Sequence, residues 1–227
     1  MALRVSCVDN SAVGLLGIQQ ACEDALFHWN GGFHSLDGVK PSLESDEVDI
    51  LISEVRVGKH DVLDYWQEQS HRRSATKLIV YTYNDNPTHV ARASSCHAWD
   101  YIIKRQSIER LIQACRSASQ ATRLQDSIVL IAKEYFRRVP DYDGVVAESL
   151  TPRERQTLAH LAFGLSNREI SSSMEISLET VKEHVQNVLR KLKTKDRTAA
   201  AVWAIRNGLP KMNIGPHGVI ANSEGQS

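Results

Sequence analysis

A chain of 227 residues with 27 Lys/Arg, 27 Asp/Glu and no net charge is long enough for two modest cores and is not a polyion binder along its whole length. Its apolar content of 42% and charged content of 24% are those of an ordinary globular protein. No apolar run reaches the roughly 18 residues of a membrane span, and the scattered Cys7, Cys22, Cys96 and Cys115 form no Cys-x-x-Cys pair, which argues against a disulfide framework or a cysteine metal site.

The neutral total hides a division. Residues 149–209 carry ten Lys/Arg against six Asp/Glu, whereas residues 1–116 carry twelve against fifteen. A basic module behind an acidic one suits a nucleic-acid reader with a separate control domain. The opening Met-Ala-Leu-Arg-Val-Ser-Cys-Val runs directly into a strand-like segment with no secretory signal, so a cytoplasmic location is expected.

From the start of the chain, Leu3–Val8 reads as a strand, followed by Val13, Leu16, Ile18, Ala21 and Leu26 at near-helical spacing. Gly32–Leu36 is a weaker strand, and Asp49–Val55, Lys77–Thr82 and Tyr101–Lys104 are short apolar runs of strand length. Strands alternating with helices predict a doubly wound α/β domain over residues 1–120, with functional groups at the carboxyl ends of a parallel sheet. From Ser107 to Val139 the spacing turns helical. Part of that stretch closes the first domain, and residues 121–148 form a helical connector and linker broken at Pro140–Gly144. The apolar stripe of the connector is a candidate dimer surface.

An all-α domain of four helices is predicted over residues 149–210, with a flexible tail at 211–227. Thr151-Pro152-Arg153-Glu154 and Ser166-Asn167-Arg168-Glu169 are capping boxes, and Ser177 and Asp196 can cap two further helices. On the third helix Leu178, Val181, Val185, Val188, Leu189 and Leu192 share one face and are expected to pack inward. The opposite arc presents Glu179, Thr180, Glu183, Gln186, Asn187 and Arg190, with Lys182, Lys191 and Lys193 flanking. These groups can hold phosphates or read base edges of double-stranded DNA in a major groove.

Leu150–Arg155, Gly164–Ile170, Ile176–Val185 and Asp196–Ala199 resemble the LuxR/NarL-type helix-turn-helix in order, spacing and residue type. The resemblance implies that the third helix enters the major groove and that the fourth supports a homodimer. It places Lys182, Glu183 and Gln186 at bases, with Thr180 and Lys191 near the backbone.

The N-terminal segment resembles the receiver of a two-component response regulator. The resemblance sets Asp9 and Asn10 at the acidic pair for Mg²⁺, Thr82 at the residue that follows the phosphoryl group, Tyr101 at the aromatic switch and Lys104 at the family lysine. Glu54 stands where the acceptor aspartate would be, and Asn10 replaces one acid. Mg²⁺ favours carboxylate oxygens, so Asn10 removes an anionic ligand and leaves only a weak Mg²⁺ site at Asp9 and Glu54. The longer Glu54 shifts the nucleophile. The expected protein is therefore a DNA-binding transcription regulator with a pseudo-receiver, neither an enzyme nor a cofactor protein. The alternatives are a regulator switched by a histidine kinase and one that senses a small-molecule ligand.

Overall fold

The computed structural model describes residues 2–69, 75–137, 150–207, 213–214 and 220–221. The expected break at Pro140–Gly144 and most of the expected tail lie outside them.

The N-terminal domain is built on five parallel strands: β1 (Arg4–Val8), β2 (His28–Phe33), β3 (Ile50–Ser53), β6 (Lys77–Thr82) and β7 (Asp100–Ile103), in the order β2-β1-β3-β6-β7. The expected strand at Gly32–Leu36 is in fact His28–Phe33, and Leu36 already opens a helix. Between β3 and β6 a small hairpin pairs β4 (Arg56–Val57) with β5 (His60–Asp61). Side chains alternate across the sheet because strand geometry has period two. Leu51, Leu78, Val80, Tyr101 and Ile103 face one core, and Ile50, Ile52, Ile79 and Ile102 the other. The second core is closed by α1 (Ala12–Asp24) and α5 (Ile108–Ser119). The first is covered by α2 (Leu36–Glu44), α3 (Val62–Gln69) and α4 (Pro87–Ser95).

The connector is not one long rod. The chain breaks after α5, where Ala121 adopts a positive φ, and resumes as α6 (Ile128–Arg137). Its apolar stripe is buried inside the molecule: Ile128, Val129, Ala132 and Phe136 pack with α4 and with the C-terminal domain. That burial removes the stripe as a dimer surface. Phe136 stacks on His160 with ring centroids 4.1 Å apart.

The C-terminal domain comprises α7 (Pro152–Ala162), α8 (Asn167–Met174), α9 (Leu178–Leu192) and α10 (Arg197–Arg206). Both expected capping boxes form, and Ser177 and Asp196 accept from Thr180 N and Ala199 N. A capping residue satisfies backbone N–H groups that the helix cannot reach, so each helix starts where its cap stands. Beyond α10, β8 (Asn213–Ile214) pairs antiparallel with β9 (Ile220–Ala221). Among the described residues no helix is long and apolar enough to cross a membrane.

Candidate nucleic-acid interface and the N-terminal crevice

The turn Met174–Ser177 sets the angle between α8 and α9, with Glu175 in the left-handed region at φ 55°. On α9, Val181, Val185, Val188 and Leu192 are buried against the other helices, and Leu189 is partly buried. Leu178, expected inward, is 44% exposed. It lies in the first turn, ahead of the point where α9 meets its neighbours.

The polar arc is open. Lys182, Glu183, Gln186 and Arg190 are exposed, and Thr180 and Asn187 are half-buried. Thr180 belongs to the cap, its N donating to Ser177 Oγ at 3.1 Å. Lys182 pairs with Glu179 at 3.0 Å, and Arg190 donates to Asn187 Oδ1 at 2.9 Å. These are short-range pairs on the solvent side of α9, held weakly enough to exchange for a partner. Lys191 is different, because its Nζ lies 2.6 Å from Glu154 Oε2, in the capping box of α7. Burial raises the Glu154 pKa, but the Lys191 and Thr151 hydrogen bonds outweigh it and hold the carboxyl below its usual value.

At the carboxyl end of the sheet, Asp9 follows β1, Glu54 follows β3 and Lys104 follows β7. Parallel strands bring these three ends to one edge. Lys104 Nζ lies 2.6 Å from Asp9 Oδ2 and 2.6 Å from Glu54 Oε1, with side-chain exposures of 8%, 3% and 15% respectively. Burial opposes the Lys104 charge, yet the two carboxylate hydrogen bonds prevail and raise its pKa. Tyr81 and Tyr83 cover the ammonium, with ring centroids 5.5 and 5.2 Å away.

The other expected crevice residues are engaged elsewhere. Asn10 Nδ2 donates to Arg56 O at 2.8 Å, and its Oδ1 accepts from Gly58 N at 3.0 Å, so it pins the hairpin. Thr82 is buried, with Oγ1 accepting from Asn84 N at 3.1 Å. Tyr101 is fully buried and donates its hydroxyl to Asn84 O at 2.6 Å. Among the described residues no group of three or more His, Cys, Asp or Glu is arranged to hold a metal ion.

Sequence reasoning missed a second cluster, in which Arg92 of α4 joins Asp61 and Asp64 to Glu169 of α8. Its hydrogen-bonded partners lie up to 77 positions apart, and no local spacing marks them.

The family description "Bacterial regulatory proteins, luxR family" matches residues 148–204. The transcriptional regulatory protein LiaR of Bacillus subtilis is 30% identical over 173 residues, covering 76% of this chain and 82% of LiaR. The response regulator VraR of Staphylococcus epidermidis is 26% identical over 211 residues, covering 92% and 99% of the two chains. In fold, the chain is similar to a solved structure of two RcsB dimers bound to two parallel DNAs. The TM-score there is 0.54 at 17% identity, with 89% of this chain and 98% of that one covered.

Proposed function

Because the chain belongs to the luxR family of bacterial regulatory proteins, as a DNA-binding transcription regulator of response-regulator type, we propose that it reads its operator as a homodimer through α9 and does so without a phosphorylated receiver. The observation that carries this reading is the position of Lys104, shared at 2.6 Å between Asp9 and Glu54. Phosphoryl transfer to a carboxylate needs a free nucleophilic oxygen and a cation that neutralises the developing charge. Here Glu54 is already committed to an ammonium, and its extra methylene gives it that reach. The negative charge a phosphorylated aspartate would offer the lysine is supplied permanently by Glu54.

The Mg²⁺ that the receiver resemblance implies does not fit these residues. Mg²⁺ prefers carboxylate oxygens in tight octahedral geometry. Both carboxylates share one buried ammonium, and the neutral Asn10 is spent on Arg56 and Gly58. In this reading neither a histidine kinase nor a small-molecule ligand is needed to complete the crevice.

For DNA, Lys182, Glu183 and Gln186 take the base-facing positions, and Thr180, Asn187 and Arg190 approach the backbone. Lys191 orients α9 through Glu154 and reaches phosphate only by leaving that pair. One short helix reads few base pairs, and a two-fold arrangement doubles them. The exposed Val202 (42%) and Ile205 (56%) of α10 offer an apolar surface for the second copy.

Selection of bound DNA from a random pool with untreated protein tests this reading. Two half-sites related by dyad symmetry, about one helical turn or a multiple apart, are expected. Enrichment of nothing refutes DNA reading, and enrichment of lone half-sites refutes the dimer.

A further inference from the structure

The two domains meet where α4 packs on α8, and one guanidinium occupies the junction. The Arg92 side chain, 13% exposed, donates Nη1 and Nη2 to the Asp61 carboxylate at 2.9 and 3.1 Å. Nη2 also reaches Asp64 at 2.6 Å, and Nε reaches Glu169 at 2.7 Å. Both principal acceptors are fixed by their own helices. Asp61 Oδ1 accepts from Leu63 N and Asp64 N at the start of α3. Glu169 Oε2 accepts from Ser166 N and Oγ at 2.7 Å each, at the cap of α8. A second junction contact runs from Ser172 Oγ to Ser95 O at 2.6 Å.

The cluster is joined to the crevice by direct contacts. Asn10 pins the hairpin at Arg56 and Gly58, and that hairpin ends at Asp61, the residue on which Arg92 is anchored. Val62 N donates to Val55 O at 2.9 Å, beside Glu54. The neutral residue standing in place of a second crevice acid thus braces the loop that carries the Arg92 anchor.

We propose that Arg92 is a positioning residue for DNA binding: anchored by Asp61 on a hairpin braced by Asn10, it grips α8 through Glu169 and holds the reader in one orientation on the receiver. This rests on the reading that α9 contacts DNA. Lys182, Glu183 and Gln186 remain exposed while the domains are docked, so the contact does not mask the reading face. A tethered domain that is already oriented loses less rotational freedom on binding than a loose one. Arginine suits the task because its planar fork serves several carboxylates at once, which a single ammonium on a flexible stem does less well.

Full-length wild-type protein, Arg92→Ala, Arg92→Lys and Glu169→Gln are titrated against a selected operator, with small-angle scattering of each free protein. Arg92→Ala is expected to enlarge the radius of gyration and weaken operator binding roughly 5- to 10-fold, with Arg92→Lys falling between it and wild type. Glu169→Gln keeps an oxygen for the Ser166 cap but removes the charge, and repeats the loss, which decides the matter should Arg92→Ala not fold. Unchanged size and affinity in the folded variants overturn the proposal, as does tighter binding. Wild-type protein that binds no DNA overturns the reading beneath it as well, whereas wild-type binding with an unaltered variant overturns this proposal alone.

Discussion

The crevice of the N-terminal domain and the outer face of α9 hold charge in opposite ways. In the crevice, Lys104, Asp9 and Glu54 are nearly closed to solvent and satisfy one another. On α9 the Lys182 and Glu179 side chains are 50% and 74% exposed and meet in a pair that either can leave. Buried charges that are fully paired are costly to separate, and exposed ones are cheap. The first region is therefore built as a finished structural element, whereas the second can exchange its pairs at little cost.

The contrast breaks most visibly if the crevice triad proves weak. Lys104→Ala leaves two nearly buried carboxylates without their cation and is expected to destabilise the protein by about 3–5 kcal/mol, read by urea denaturation. A loss below about 1 kcal/mol would mean that water reaches the crevice and that the triad is not a fixed element.

Among the buried titratable groups of the C-terminal domain, which include Glu154 and Glu169, His160 gives the clearest acid response. His160 bonds Gln156 O through Nδ1 at 2.6 Å and Ser173 Oγ through Nε2 at 2.8 Å. Burial lowers its pKa from 6.5 to about 4, against a smaller opposing effect of the Gln156 carbonyl. The unfolded chain takes up this proton below about pH 6.5 and the folded one only near pH 4. Stability is therefore full above that window and falls as the pH drops through it, by on the order of 3 kcal/mol. Thermal melts of wild type and His160→Gln across that window measure it. A wild-type slope equal to the variant's would place the protonated imidazole comfortably in the fold.

A smaller effect is expected on the open face. Lys182→Ala should weaken operator binding by about 1–3 kcal/mol while leaving the melting temperature unchanged. Unchanged affinity in a fluorescence titration would remove Lys182 from the reading face. The smallest concerns the start of the same helix: Ser177→Ala removes the cap on Thr180 N and should cost about 1 kcal/mol of stability. No change in the denaturation midpoint would show that α9 is held by packing alone.

The C-terminal domain was readable almost residue by residue, because its four helices begin at capping side chains and its core positions repeat at helical spacing. Leu178 escaped the pattern because a first-turn residue can match the period and still lie beyond its neighbours. In the N-terminal domain the buried strands β3, β6 and β7 showed as apolar runs. The edge strand His28–Phe33 did not, since its Gly-Gly and half-exposed residues carry little periodicity. Helix α2 was hidden by its internal Pro41. Asp9, Glu54 and Lys104 could be grouped by resemblance, but their meeting at one ammonium depends on strand order. That Asn10 turns to the hairpin, and that Arg92 bridges the domains, follows only from tertiary packing.

Treatment with acetyl phosphate and Mg²⁺, followed by intact-mass measurement and operator titration on the same sample, asks whether Glu54 already does the work of a phosphorylated residue. The mass of the N-terminal domain should stay unchanged, and the treated and untreated proteins should bind the operator equally. A stoichiometric phosphoryl adduct accompanied by tighter binding would contradict a receiver whose charge is already supplied by Glu54.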